Sequence, residues 1–239
     1  MFTTSLIAIS FSLGFFVESI IGFGGALIAY SILAFFIDFK EMILAGLYIG
    51  TLSSAKIIYT DSKSFDKKTF FSALPLCLIG TIFGVFIFSK LSVETLSLIF
   101  GILLILLSIK IILFDKYIFP KFFKSKLIFI GGIAQGAFGT GGPFFANALQ
   151  QNFKNKSNLR TTLAALFVTF NVVRIFQLGL HGDLKSDFFI KIWWVIIPVF
   201  VAIRLGHLMH LKISEENFKK GIAIMTIFAG IKFLSKVFY

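Results

Sequence analysis

Apolar residues run along this chain in blocks of about 20, the length that spans a bilayer as a helix, with short Lys-rich segments between them. The blocks cover Met42–Tyr59, Thr69–Ser89, Val93–Phe114, Thr161–Leu180, Phe188–Leu211 and Phe218–Phe238. Two further stretches, Thr4–Ile37 and Leu127–Gln150, each stop at a cluster of glycines and then restart. The clusters are Gly22-Phe23-Gly24-Gly25 and Gly139-Thr140-Gly141-Gly142-Pro143, 117 residues apart. No block alternates apolar and polar positions, so a transmembrane barrel is excluded. The pattern predicts an all-α polytopic membrane protein of eight transmembrane segments, or ten if each glycine break is a re-entrant turn.

The halves match beyond their glycines. A shift of 117 places Glu18 on Gln135, Gly22 on Gly139, and Gly24-Gly25 on Gly141-Gly142. A shift of 122 places Gly84 on Gly206, Lys90 on Lys212, Ser92 on Ser214, Glu94 on Glu216 and Lys110 on Lys232. This reads as an internal duplication within one membrane domain, residues 1–114 and 127–239, joined by a basic linker at 115–126.

Charge decides between two arrangements of the repeats. If each glycine stretch is one span, the halves are parallel, and the loops on the N-terminal side hold 13 Lys/Arg against 8. If the chain turns at each break, the halves are inverted, and loops 59–69, 110–127, 150–161 and 210–220 share one face with 15 Lys/Arg against 6. The inverted count obeys the positive-inside rule better. It also fits a chain with no Lys or Arg before Lys40, and a post-break segment, Ala26–Ile37, of half-helix length. On this reading the termini face out, the linker is cytoplasmic, and the first helix is retained rather than cleaved as a signal.

Composition agrees and removes other classes. The chain has 57% hydrophobic and 14% charged residues with 34 Phe. Its +12 net charge lies mostly in loops, where it orients the protein in the bilayer rather than binding nucleic acid. Cys77 is the sole cysteine, mid-span, and reads as a small buried residue.

Candidate chemistry gathers at the breaks. A helix start leaves backbone N–H groups unpaired and carries partial positive charge, so a small anion is its natural ligand. Gly22, Gly24, Gly25, Gly139, Gly141 and Gly142 would line such a site, with Pro143 at the first position of the restarting helix. The competing reading is that these glycines only permit close helix packing. Glu18, deep in an apolar run, is a candidate proton carrier or a structural partner of the unwound backbone. Its counterpart Gln135 is neutral. Arg174 lies on a polar face with Asn171 and Gln177, three residues away on either side, and a guanidinium holds oxyanions by paired hydrogen bonds. Asn147 could add a donor. Arg174, Arg204 and Lys56 could all snorkel to the interface, Arg174 being the better functional candidate, and Trp193-Trp194 reads as part of an aromatic belt. His207 and His210 lack the carboxylate neighbours of a metal site. No Walker, HExxH or GxSxG motif is present, so neither a cofactor nor enzymatic chemistry is expected.

These features resemble the TauE/SafE-type sulfite exporter family of membrane permeases over nearly the whole chain. The resemblance rests on the paired glycine motifs, the stretch Ala45–Thr51, and Pro75, Gly80, Gly84 and Gly101. In the second half it rests on Asn171, Gly179, Gly182-Asp183, Pro198 and Gly206. It implies a bacterial inner-membrane carrier of sulfite, sulfonates or related sulfur anions. Ala26 replaces a small residue that is commonly followed by proline, and no proline comes before Pro75, so the half-sites are not equivalent. The resulting expectation is a secondary transporter with a central anion site between the breaks, working by alternating access. Its partners are a small anion and the lipid bilayer, with homodimer formation compatible. The rival readings are an integral membrane enzyme and a non-transporting scaffold.

Overall fold

The computed structural model describes residues 2–21, 24–114, 119–153, 155–184, 186–209 and 215–238. Every regular element among them is helical: α1 (Phe2–Ile21), α2 (Gly25–Leu33), α3 (Phe39–Thr60), α4 (Lys67–Lys90), α5 (Val93–Leu113), α6 (Lys124–Phe138), α7 (Gly142–Leu149), α8 (Lys156–His181), α9 (Ser186–Ile192), α10 (Ile196–Met209) and α11 (Glu215–Phe238). Among the described residues, six helical segments are long and apolar enough to cross a membrane. Both glycine stretches divide into a longer helix and a half-helix, α1/α2 and α6/α7. Gly22 and His210 lie outside the described residues, as does Lys116 of the basic linker.

The block expected at Phe188–Leu211 is interrupted. A 3-10 turn at Trp193–Val195 separates α9 from α10. Pro198 accounts for it: proline has no N–H for the Trp194 carbonyl four residues back, and its ring crowds that turn.

The chain forms two compact units. One holds residues 1–45, 91–117 and 190–239, and the other residues 46–90 and 118–189, so each draws elements from both halves of the sequence.

In the first unit the chain reverses at the break. Gly24 sits at φ 94°, a left-handed conformation that side chains other than glycine's strain to adopt. The Gly25 N–H then donates to Glu18 Oε2 at 2.7 Å. Farther on, Tyr30 packs edge-on against Phe11 with centroids 6.0 Å apart. Beyond α2, residues Phe35–Asp38 share a cleft with Thr3. As the chain advances its neighbours on α1 retreat, so α2 runs back along α1. Tyr30, Phe39, Phe100 and Phe233 stack edge-on into the core of this unit, with centroids 5.4–6.0 Å apart. Each such pair contributes about 0.5–1.5 kcal/mol beyond area burial.

The second unit repeats the reversal. Gly139 caps α6 at φ 72°, and its N–H returns to the Gln135 carbonyl at 2.9 Å. The Gly141 N–H donates to Gln135 Oε1 at 3.1 Å. A Cβ on Gly131 would lie 2.8 Å from the Phe145 ring, and Lys124 Nζ reaches Asn152 Oδ1 at 3.3 Å. Here too α7 runs back along α6.

Loop contacts decide the direction of the helices in this unit. Asp61, just after α3, accepts hydrogen bonds from Ser157 and from Thr161 (3.2 Å) at the start of α8. The Asp66 N–H donates to Thr162 Oγ1 at 3.1 Å. Loops 61–66 and 150–157 therefore share one end of the unit. That is the grouping of the inverted count; the parallel count would set Asp61 and Ser157 on opposite faces of the membrane.

Glycine-on-backbone packing joins the long helices. On α4, Gly80 and Gly84 face Gly132 and Gly136 on α6: a Cβ on Gly80 would lie 2.5 Å from the Phe129 carbonyl, and one on Gly132 would lie 2.6 Å from the Cys77 carbonyl. This is small-residue packing without side chains between the helices. In the first unit, Gly206 of α10 presses on the Phe16 carbonyl of α1 as Gly84 presses on the Ile133 carbonyl. Gly84 and Gly206 are counterparts under the 122-residue shift, and Phe16 and Ile133 under the 117-residue shift.

Candidate functional site

The richest polar cluster built from the expected residues is in the second unit. Arg174, in the middle of α8, is 1% exposed. Burying a guanidinium costs several kcal/mol unless polar groups receive it. Its Nε donates to the Gly136 carbonyl at 3.0 Å, and its Nη1 to Asn171 Oδ1 at 3.3 Å. Gly136 belongs to the last turn of α6, whose carbonyls lack intrahelical donors and form the negative end of the helix dipole. Arg174 thus caps α6 just before the break. Both of these acceptors are neutral oxygens, and the two bonds orient the guanidinium.

Gln135 extends the cluster into the break. Its Nε2 donates to Asn171 Oδ1 at 3.2 Å while its Oε1 accepts from Gly141 N–H. Gln135, Asn171 and Arg174 are all buried, and together with Gly136 and Gly141 they bind the turn between α6 and α7 to the centre of α8. On α3, a Cβ added at Gly50 would meet nothing closer than Asn171 Nδ2 at 3.9 Å. The backbone there leaves room beside the amide.

At the first break the same task falls to a carboxylate. Glu18 holds the Gly25 N–H at 2.7 Å, as Gln135 holds Gly141. The bond to the carboxyl oxygen is the shorter of the two. Of the two roles considered for Glu18, this bond supplies the structural one.

Several expected donors have internal partners. The N–H groups of Gly25, Gly139 and Gly141 go to Glu18 Oε2, the Gln135 carbonyl and Gln135 Oε1. Pro143 is the second residue of α7 rather than its first. Gly142 takes the first position, where an N–H has no intrahelical acceptor. Asn147 donates to the Pro143 carbonyl at 2.9 Å within its own helix, which turns its amide N–H inward. Among the described residues its Oδ1 has no hydrogen-bond partner, and neither does Gln177 Oε1. Arg204 and Lys56 are exposed, as snorkelling side chains would be, and Cys77 is fully buried and free. The His207 side chain lies outside the described residues, as does all of His210.

Two sets of residues were missed in the sequence. Asp61, Ser64, Ser157, Arg160 and Thr161 form a network where loop 61–66 meets α8. Burial pushes the Asp61 carboxyl up, but hydrogen bonds from Ser157, Ser64 and Thr161 and the charge of Arg160 outweigh it and hold it below its ordinary 3.8. An acidic residue in a basic loop gives no sequence signal of such partners. The other is Thr140, buried at 3% exposure in the second break. Its only signal is the change from Gly-Phe-Gly-Gly to Gly-Thr-Gly-Gly.

The family model for the sulfite exporter TauE/SafE matches residues 6–233, covering both breaks, α8 and most of α11. The chain belongs to the TauE/SafE family. It is therefore a multi-pass membrane protein of a transporter family, as the paired glycine motifs had implied. No curated protein and no solved structure matches it. The TauE/SafE match spans both halves of the chain, so the Glu18 and Gln135 versions of the break are parts of one family unit.

Proposed function

We propose that this TauE/SafE protein is a secondary transporter that moves small sulfur oxyanions, sulfite or sulfonates, across a bacterial inner membrane by alternating access. The observation that carries the reading is the buried Arg174, oriented by Gly136 and Asn171 beside a helix restart. A positive charge fixed in an apolar span beside the positive end of α7 favours an anion over a cation or a neutral solute. Because Gly25, Gly139 and Gly141 are engaged internally, their part is to shape the turns. The anion's donors are then the Gly142 N–H and the Arg174 guanidinium.

The repeat gives the reading its mechanical side. The paired reversals, and the matching contacts of Gly84 with Ile133 and of Gly206 with Phe16, support an inverted duplication of residues 1–114 and 127–239. Inverted repeats supply two related arrangements of one chain, and alternating access exchanges one for the other. Glu18 is the proton-coupling candidate, with the neutral Gln135 as its uncoupled counterpart.

The test is flux of sulfite and of methanesulfonate in proteoliposomes, comparing wild type with Arg174→Ala. The wild type is expected to carry at least one of them, and the variant to lose at least tenfold in rate, the loss of one charge-assisted contact. Unchanged flux in Arg174→Ala would remove Arg174 from the pathway.

A further inference from the structure

We propose that Thr140 is a ligand-contacting residue, its hydroxyl donating to an oxygen of the anion held at the start of α7. This rests on the anion-transport reading above and adds to it a contact that the first half of the chain does not possess. Buried and half-buried hydroxyls within the helices of this protein bond back to a carbonyl four residues earlier at several places: Thr51 to Leu47, Thr81 to Cys77, Ser108 to Leu104 and Thr169 to Ala165. Thr140 lies outside the helices, between Gly139 and Gly141, and the carbonyl four residues earlier, that of Gly136, receives Arg174 Nε instead.

Thr140 is 3% exposed, and among the described residues its Oγ1 has no hydrogen-bond partner. Ser10, Ser12, Ser53 and Ser89 also have hydroxyls without a hydrogen-bond partner among the described residues, but all four sit within helices. Thr140 alone among them stands at a helix start, two residues before the first residue of α7. A buried hydroxyl without a partner is destabilising, and an apolar residue of the same shape avoids the cost. In the sequence of the first half the corresponding position is Phe23, which has no hydroxyl. Retaining a hydroxyl here is explained by a partner that comes and goes. The α7 N-terminus selects an anion, and a hydroxyl supplies both a donor and an acceptor to an oxyanion.

The experiment measures the sulfite-dependent rise in unfolding temperature of the purified full-length protein, with sulfite flux in proteoliposomes alongside. Wild type, Thr140→Val and Thr140→Ser are compared. Thr140→Val is expected to need roughly ten- to hundredfold more sulfite for the same shift, the loss of one hydrogen bond to a charged group. Without sulfite it is expected to unfold at or above the wild-type temperature. Thr140→Ser keeps the hydroxyl and is expected to stay close to wild type. Should valine pack poorly, Thr140→Ala is expected to show the same loss of sulfite response. A Val variant with wild-type sulfite response overturns the role of Thr140 and leaves the transport reading standing. So does a Ser variant as impaired as Val, because the methyl would then be the group that matters. A wild type that neither shifts with nor carries sulfite or methanesulfonate overturns the transport reading, and this inference with it.

Discussion

Replacing Gly80 by alanine tests whether α4 and α6 touch through bare backbone, and whether that contact positions Arg174. The added Cβ would lie 2.5 Å from the Phe129 carbonyl, 3.0 Å from Gly132 Cα and 3.1 Å from Ile133 N. All three are backbone atoms, so no side chain can rotate aside. Ordinary contact begins at 3.4 Å, so the helices must part by 3.4 − 2.5 = 0.9 Å. Overpacking of this kind costs about 1–3 kcal/mol, and alanine returns about 0.5–1 kcal/mol through its helix preference. The net loss is about 0–2.5 kcal/mol, or a fall of up to about 10 °C in unfolding temperature for a chain of this size. One turn beyond Gly132 on α6, the Gly136 carbonyl receives Arg174 Nε at 3.0 Å. A displacement of 0.9 Å along that bond takes it to about 3.9 Å, past hydrogen-bonding range, so sulfite flux should fall as well. Cys77 offers the readout: it is the sole cysteine, fully buried, and its carbonyl abuts Gly132. A thiol-reactive fluorescent dye followed on heating reports when α4 opens. A rise in unfolding temperature, the alanine preference acting alone, would refute the backbone contact.

Three other outcomes follow from separate parts of the molecule. Glu18→Gln should keep the first break folded, because Gln135 holds the Gly141 N–H in the same way, yet abolish dependence of flux on a pH gradient; persistent gradient-driven flux would exclude Glu18 as the coupling group. The Asp61 carboxyl is held below its ordinary 3.8, so its stabilisation is complete above that value and disappears as pH falls through the lower folded value. Asp61→Asn should therefore unfold earlier than wild type at pH 7, by about 1 kcal/mol for a partly exposed network. The two curves should converge as pH falls below the lowered folded value of Asp61, and a gap independent of pH would contradict this. Gly221 in α11 has nothing within 4 Å of an added Cβ, so Gly221→Ala should stabilise by about 0.5–1 kcal/mol, the opposite sign to Gly80→Ala; equal destabilisation would show that the response is general to helix glycines.

The helices and their breaks were legible because lipid enforces long apolar runs and glycines announce where they stop. The grouping of basic loops set 59–69 and 150–161 on one face, which is where Asp61 meets Ser157, but nothing in the sequence named those two as partners. Arg174 was readable as a functional candidate from Asn171 and Gln177 on its face of the helix, but its burial was not. Nor was its bond to Gly136, because that contact joins residues 38 positions apart. The fate of the glycine N–H groups was hidden for a similar reason: whether Glu18 and Gln135 curl back to accept them depends on the angle of the turn, which glycine leaves open. Pro198 was visible, but its 3-10 turn was not, since Pro75 lies within the unbroken helix α4.

The partner exchange between α1 and α10 and between α4 and α6 has a consequence for synthesis. The second unit ends at Phe189, so all its helices have been synthesised when that residue is made. The first unit must still wait for α10, which ends at Met209, 209 − 189 = 20 residues later, about 1–4 s of translation at ordinary rates. During that interval α1, with Ser19 and the Phe16 carbonyl shaped to receive Gly206, stands in the membrane without its packing partner. The protein is thus assembled from its middle outward, and the interval before α10 arrives is when a membrane chaperone or a second nascent chain would find an open groove on α1.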